Sequence, residues 1–342
     1  MSEKKVEQYY TRPPQLGKWE GFSIFIWNSE TSQFLGRTGA SWAKILLFYV
    51  LFYAALAGFF AAMLTVFYQT LDMNIPKWQL DGSLIGSNPG KGAINCFCVV
   101  HRHIYFVVFP GLGFRPMPPV ENVESTLIWY RASDENYKYW TTELDNFLET
   151  YRKPGILEGG GENSMACDYD QRPTGDKVCT VDLGTFGPCI PSTQYSYPQS
   201  HPCVFLKLNK IFNWNPHYYN DTEHLPELMP TDLKEFIKLK RDTNECFVPV
   251  RQMNTVWVSC QGENPADVEN MGPVQYYPKR GFPGFYFPFQ NKPGYQSPLV
   301  AVFFEKPAIG VLINIECKAW AHNIHHDRAE RRGSVHFELM ID

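Results

Sequence analysis

Between Ile45 and Tyr68 the chain runs for 24 residues, ILLFYVLFYAALAGFFAAMLTVFY, without one charged side chain. A helix needs about 20 predominantly apolar residues to cross the hydrocarbon core of a bilayer, and so long a run is rare inside a soluble domain. The segment therefore reads as a transmembrane helix. Trp42 and Lys44 flank one end, and Tyr68 and Asp72 the other. Such residues suit the two membrane interfaces. The run is too long for the apolar part of a signal peptide and lies 44 residues into the chain, so it is expected to stay as an anchor. Arg37 and Lys44 precede it, whereas Asp72, Lys77 and Asp81 follow. The positive-inside rule then puts the N-terminus in the cytoplasm and the bulk of the chain outside. Within the span, Tyr49, Phe52 and Tyr53 fall on one stripe, and Gly58 and Ala61 or Ala62 offer small surfaces. The stripe suits a partner helix or lipid, and spacing alone does not separate the two.

Cysteine use agrees with this topology. All nine cysteines (Cys96, Cys98, Cys167, Cys179, Cys189, Cys203, Cys246, Cys260 and Cys317) follow the apolar run. From Cys167 onward none forms a CxxC pair, so a zinc ribbon is a poor reading. Irregularly spaced cysteines in a large outer region fit disulfides formed in an oxidising compartment, the alternative being scattered cytosolic thiols. Asn220-Asp221-Thr222 is the chain's single glycosylation sequon, and it lies in the part placed outside.

Four segments are expected: a cytoplasmic tail (1–44), the transmembrane helix (45–68), an extracellular stalk rich in Gly, Pro and Asn (69–123), and a folded outer domain (124–342). In the last, Tyr137, Trp140, Leu144, Phe147, Leu148 and Tyr151 recur at spacings of three and four, ending at Pro154. This predicts one amphipathic helix, with Ser133-Asp134 as its cap. Strand patterns follow at Val204–Leu208, Thr255–Ser259, Leu299–Phe304, Val311–Ala319 and Val335–Ile341, with a shorter one at Ser125–Tyr130. Val311, Ile313, Ile315, Cys317 and Ala319 share one face, as do Val335, Phe337, Leu339 and Ile341. The fold expected is a single transmembrane helix plus a mainly-β extracellular domain, an immunoglobulin-like antiparallel β-sandwich with one packed helix.

No catalytic constellation accompanies this architecture. The chain lacks a GxSxG elbow, an HExxH pair and a phosphate-binding P-loop. Asp168 and Asp170 read as a solvated loop rather than a dyad. His322, His325, His326 and His336 do not match a closed metal site and read as surface histidines. A net charge of −4 argues against a nucleic-acid partner. Neither catalytic nor metal-binding residues are assigned, and no cofactor is expected.

The segment Phe22–Trp42, FSIFIWNSETSQFLGRTGASW, is specific. Phe22, Phe25, Trp27, Asn28, Gly36, Arg37, Thr38 and Trp42 resemble the juxtamembrane signature of Na⁺/K⁺- and H⁺/K⁺-ATPase β subunits, in an invertebrate style. GFRPMPP (113–119), YYPKRGFPGFYFPF (276–289), the strand after Cys203 and IECKAW (315–320) are similar to other parts of that family. Thr180 and Ile190 depart from its pattern beside the middle cysteines. The resemblance implies three sequential disulfides, Cys167–Cys179, Cys189–Cys203 and Cys260–Cys317. It implies a non-catalytic plasma-membrane subunit that stabilises and delivers a catalytic α subunit and tunes K⁺ transport, with membrane lipid and a small FXYD-like regulator as further partners. Tyr49, Phe52 and Tyr53 would then pack on α within the bilayer. Tyr276, Tyr277, Phe282, Phe285 and Tyr286 would face its outer loops. An adhesion protein acting through the sandwich is the competing reading, because fold alone does not decide function.

The resemblance breaks over residues 91–111, KGAINCFCVVHRHIYFVVFPG. Deleting these 21 residues restores SNPG-LGFRPMPP. Gly90-Lys91 can be encoded as a splice donor and Phe109-Pro110-Gly111 as an acceptor, in the same codon phase. The segment reads as a translated, unspliced intron. It adds Cys96 and Cys98 without family partners, and places the β-prone run Ile104–Phe109 outside. The rival reading is an isoform-specific loop with a redox role for the two cysteines. Cys246 is left over from the pairing scheme.

Overall fold

A computed structural model of the chain describes residues 17–29, 31–72, 75–83, 97–100, 103–106, 112–119, 125–133, 136–153, 161–242, 250–327 and 332–342. It divides into two compact units, Met1–Asp72 and Met73–Asp342.

In the first unit, α1 (Lys18–Ile26) leads into three short strands, β1 (Trp27–Asn28), β2 (Gln33–Phe34) and β3 (Arg37–Thr38), which form an antiparallel meander. Then comes α2 (Gly39–Gln69), 31 residues long. At 1.5 Å per residue it spans roughly 46 Å, more than the hydrocarbon core requires. None of its residues is buried within the chain.

The second unit contains the hairpin β4 (Phe97–Val100) and β5 (His103–Phe106), then β6 (Leu112–Arg115), β7 (Leu127–Tyr130) and α3 (Lys138–Arg152). The short β8 (Ser164–Met165) and β9 (Val178–Cys179) precede β10 (Cys203–Leu208) and α4 (Thr231–Asp242). There follow β11 (Thr255–Gly262), α5 (Pro265–Met271), β12 (Val274–Tyr277), β13 (Gly281–Pro283), β14 (Leu299–Phe304), β15 (Ile313–Trp320) and β16 (Ser334–Ile341).

Two sheets make the sandwich, a four-stranded one in the order β12-β14-β10-β6 and a five-stranded one in the order β13-β11-β15-β16-β7. Alternation selects the inward faces. Ile313, Ile315, Cys317, Ala319, Val335, Phe337, Leu339 and Ile341 are all buried. Val311 precedes its strand and is exposed. Phe114 of β6 stacks on Phe337 of β16 with ring centroids 5.1 Å apart, joining the two sheets through the core.

The amphipathic helix is α3. Trp140, Leu144 and Leu148 are buried on its inner face, with Phe147 and Tyr151 packed alongside. The expected cap is replaced: Tyr137 holds the cap position without a side-chain bond, and the helix is secured by tertiary contacts instead. Trp140 Nε1 donates to the Trp129 carbonyl at 2.9 Å, and the Tyr151 hydroxyl to the Ser297 carbonyl at 3.2 Å.

Two expectations need correction. The sandwich is not wholly antiparallel, because β7 pairs parallel with β16, Leu339 opposite Ile128. About 200 residues of chain separate the two strands, so no tight turn dictates their direction. Nor does α3 pack alone. α4 lies on the outer face of the five-stranded sheet, where Leu233 and Ile237 join Tyr219, Met229, Met253, Trp257 and Trp320 in a second core. Its apolar spacing (Leu233, Phe236, Ile237) after Pro230-Thr231-Asp232 is a legible helix signal.

Lys207 on β10 is half-buried, its Nζ 5.9 Å from the centre of the Phe147 ring. Burial, and then the charges of Lys210 and Arg115, lower its pKa to about 8. An unfolded lysine titrates near about 10.4. Between those values the unfolded chain binds a proton that the folded chain does not, so stability rises with pH across that window. Lys207→Met is expected to raise the unfolding temperature at pH 7. Its advantage should shrink by pH 9.5, as the native lysine loses its charge. Unfolding curves of both proteins at the two pH values check this.

Candidate partner interface and glycosylation site

The meander before the membrane helix explains the signature residues. Leu35 (φ 50°) and Gly36 (φ 72°) are the two central residues of the β2–β3 hairpin. Two consecutive positive φ angles make the tight turn that matches strand twist. Asn28 Oδ1 accepts the backbone N–H of Thr31 at 3.3 Å, bending the chain between β1 and β2. Trp42, on the first turn of α2, donates from Nε1 to the Phe34 carbonyl at 2.8 Å, and its ring lies 6.4 Å from that of Phe34. Trp42 and Phe34 thus tie the meander to the start of the membrane helix. Phe22, Phe25 and Trp27 remain exposed. Gly36→Val forces a β-branched residue into a left-handed conformation and is expected to cost about 1–2 kcal/mol. Faster hydrogen exchange over residues 27–38 of the full chain is the readout.

On α2, Tyr49 stacks on Tyr53 at 6.0 Å and Phe48 on Phe52 at 6.2 Å, so the aromatic stripe is two rings wide. Tyr49, Phe52 and Tyr53 are all exposed.

The aromatic segment of the outer domain behaves differently. Phe282 is fully buried and Phe285 is 8% exposed, so both rings serve mainly the chain's own packing. Tyr276 is half-buried: its hydroxyl accepts the Cys260 backbone N–H at 2.8 Å, and the Arg280 guanidinium lies 4.8 Å from its ring centre. Tyr286 donates to the Thr180 carbonyl at 2.8 Å. The Tyr277 ring lies over Gly187, where an added Cβ would meet it at 2.6 Å. The aromatic contacts fasten much of the segment inward, while Tyr276, Tyr277 and Tyr286 stay half-buried and Pro278 and Lys279 exposed.

Three disulfides join Cys167 to Cys179, Cys189 to Cys203, and Cys260 to Cys317. Cys96 and Cys246 lie outside the described residues, as does the side chain of Cys98. Of residues 91–111, only the backbone of the hairpin β4–β5 is described, and it pairs with itself alone among the described strands.

The histidines serve local contacts. His336 Nδ1 lies 2.6 Å from Glu263 Oε1, His326 Nε2 lies 2.9 Å from the Ala319 carbonyl, and the His322 ring packs on Tyr219 at 4.0 Å. Asp168 Oδ1 accepts the backbone N–H groups of Asp170 and Gln171, the geometry of a turn.

Asn220 is exposed, and the rest of its sequon is held against α4. Arg241 Nη1 donates to Thr222 Oγ1 at 2.9 Å and reaches Asp221 Oδ1 at 3.5 Å. The Glu223 backbone N–H and the His224 ring hold the Asp221 carboxylate below its ordinary pKa, and the same pairing raises that of His224.

The sequence profile of the sodium/potassium ATPase beta chain matches residues 12–337. The chain is 51% identical over 337 residues to sodium/potassium-transporting ATPase subunit beta-2 of Drosophila melanogaster, covering 98% of this chain and 96% of the relative. It is 38% identical over 331 residues to subunit beta-1 of the same species, covering 96% and 95%. Subunit beta-2 of Homo sapiens is 29% identical over 337 residues, covering 94% of each. The chain belongs to the sodium/potassium ATPase beta chain family. A beta chain is an accessory, non-catalytic part of a cation pump. Its membrane helix fits a single-pass subunit.

Proposed function

We propose that this beta chain pairs with the catalytic α subunit of a Na⁺/K⁺-exchanging ATPase, stabilises it, delivers it to the plasma membrane and tunes its handling of K⁺. The observation that carries this reading is a 31-residue apolar helix with no buried residue, tied at its start to the family's meander. Tyr49, Phe52 and Tyr53 pack on α inside the bilayer. The accessible edges of Tyr276, Tyr277 and Tyr286 face it outside. Differential contact with α's conformations is the only means by which such a chain shifts their balance. The positive charges before the span put the N-terminus in the cytoplasm and Asn220, glycosylated, outside. Lipid surrounds the remaining face of α2, and a small FXYD-like regulator completes the complex.

Residues 91–111 are a retained intron, and the stalk and sandwich are continuous without them. The sheet starts at Leu112, immediately beyond the segment, and Leu112 is fully buried. Sequencing cDNA across codons 85–120 tests this: retention in every transcript sinks it.

Co-expression with an animal α subunit, with and without residues 91–111, tests the function. Surface α and its co-purification with this chain are expected to rise severalfold over α alone. If the chain reaches the surface and α neither follows nor co-purifies, the reading fails.

A further inference from the structure

Asn220 borders a cleft of about 570 Å³, at the side of the sandwich where α4 overhangs β11 and β12. That volume lies within the range of sites for small ligands. Phe236, half-buried, supplies aromatic surface, and Lys240, Gln252 and Lys279 supply hydrogen-bonding groups, while Tyr169 is buried. The Lys279 ammonium lies 4.6 Å from the centre of the Tyr169 ring. Among the described residues, the side-chain amide of Asn220 makes no hydrogen bond, although its neighbours Asp221 and Thr222 are both fastened to Arg241. The asparagine is therefore held at the rim by its neighbours while its own amide stays available.

We propose that this cleft is the seat of the chain's own glycan, with the core N-acetylglucosamine joined to Asn220 lying against its aromatic wall. The proposal rests on the reading that Asn220 is extracellular and glycosylated. A pyranose ring has an apolar C–H face that packs on aromatic rings, while its hydroxyls and acetamido group take up hydrogen bonds at the edges. The cleft offers both kinds of surface side by side. The first sugar is bonded to the rim residue itself, so it meets the wall at a high effective concentration without a free ligand's loss of translation. A neutral sugar also requires no counter-charge, which suits a wall whose cations already stand over rings or beside acids: Arg280 pairs with Asp232, and Arg241 reaches Asp221. The glycan then acts as an external staple, bridging α4 to β12.

The test uses the full chain, co-expressed with α and carrying high-mannose glycans. Hydrogen exchange is followed in three forms: intact, trimmed by endoglycosidase to one N-acetylglucosamine, and fully stripped by amidase. Asn220→Asp is the control for the charge that the amidase leaves behind. Mass spectrometry first measures occupancy at Asn220. The trimmed form is expected to exchange like the intact one. Complete removal is expected to speed exchange at least threefold over residues 231–242 and 274–280, and not over β16. In Phe236→Ala the difference between trimmed and stripped forms should vanish, as coupling through one contact requires. Equal exchange in all forms at full occupancy overturns the proposal, as does protection of the cleft that follows α rather than the sugar. No sugar at Asn220 overturns both the proposal and the sequon reading, while the delivery function is judged separately by surface α.

Discussion

Replacing Cys260 and Cys317 together with serine is expected to cost the outer domain about 4 kcal/mol. The two residues face each other across β11 and β15, in the middle of the five-stranded sheet. Their bond closes a loop with a sequence separation of 57, against 12 and 14 for the other two disulfides. Loop-closure entropy grows with the logarithm of loop length, which gives the shorter bridges about 3 kcal/mol each. Cys260 is 5% and Cys317 0% exposed, so serine would also bury hydroxyls in an apolar layer. Domains are stable by only about 5–15 kcal/mol, so this single loss removes a large share. Urea midpoints of the three double-serine variants of the full chain should rank the 260–317 pair as the most damaging. A smaller loss there than at either short bridge would show that loop entropy does not govern these bonds.

Trp320→Ala should come close behind, at about 3–5 kcal/mol. Trp320 is 2% exposed on the outer face of β15, directly opposite Trp257 of β11. Its Nε1 donates to Ser259 Oγ at 2.8 Å, and Ser259 is itself buried. Truncation empties the floor of the second core and leaves that hydroxyl without its donor. Because Leu233 and Ile237 rest on the same cluster, the damage should concentrate on α4. Hydrogen exchange over residues 231–242 is expected to accelerate more than over β16. Uniform acceleration through both would mean that the outer core is not a separate unit.

Both predictions concern contacts that are hard to read along the chain. Cys260 and Cys317 are visible as cysteines, but their pairing came from a family resemblance, since spacing does not select among the possible connectivities. Trp257 and Trp320 look like ordinary strand residues until the register sets them opposite each other. Phe282 and Phe285 illustrate the converse. An aromatic-rich loop between prolines reads as a docking surface, yet the fold turns both rings into its own core.

What the sequence determined by itself is what depends on neighbours along the chain. The membrane span is a property of 24 consecutive residues, and α2 contains all of them. The inward face of β16 follows from alternation over eight residues, and the buried face of α3 from helical spacing. The juxtamembrane meander is also local, because its turn needs Gly36 and its anchor Trp42 within six residues. The tertiary structure alone decided which strands are neighbours, the parallel docking of β7 on β16, the outer core beneath α4, and the cleft beside Asn220. Alternation says which face of a strand is apolar but not what lies against it. That choice is made by shape and burial among residues distant in sequence, where many pairings satisfy the same local pattern and only one fills the core.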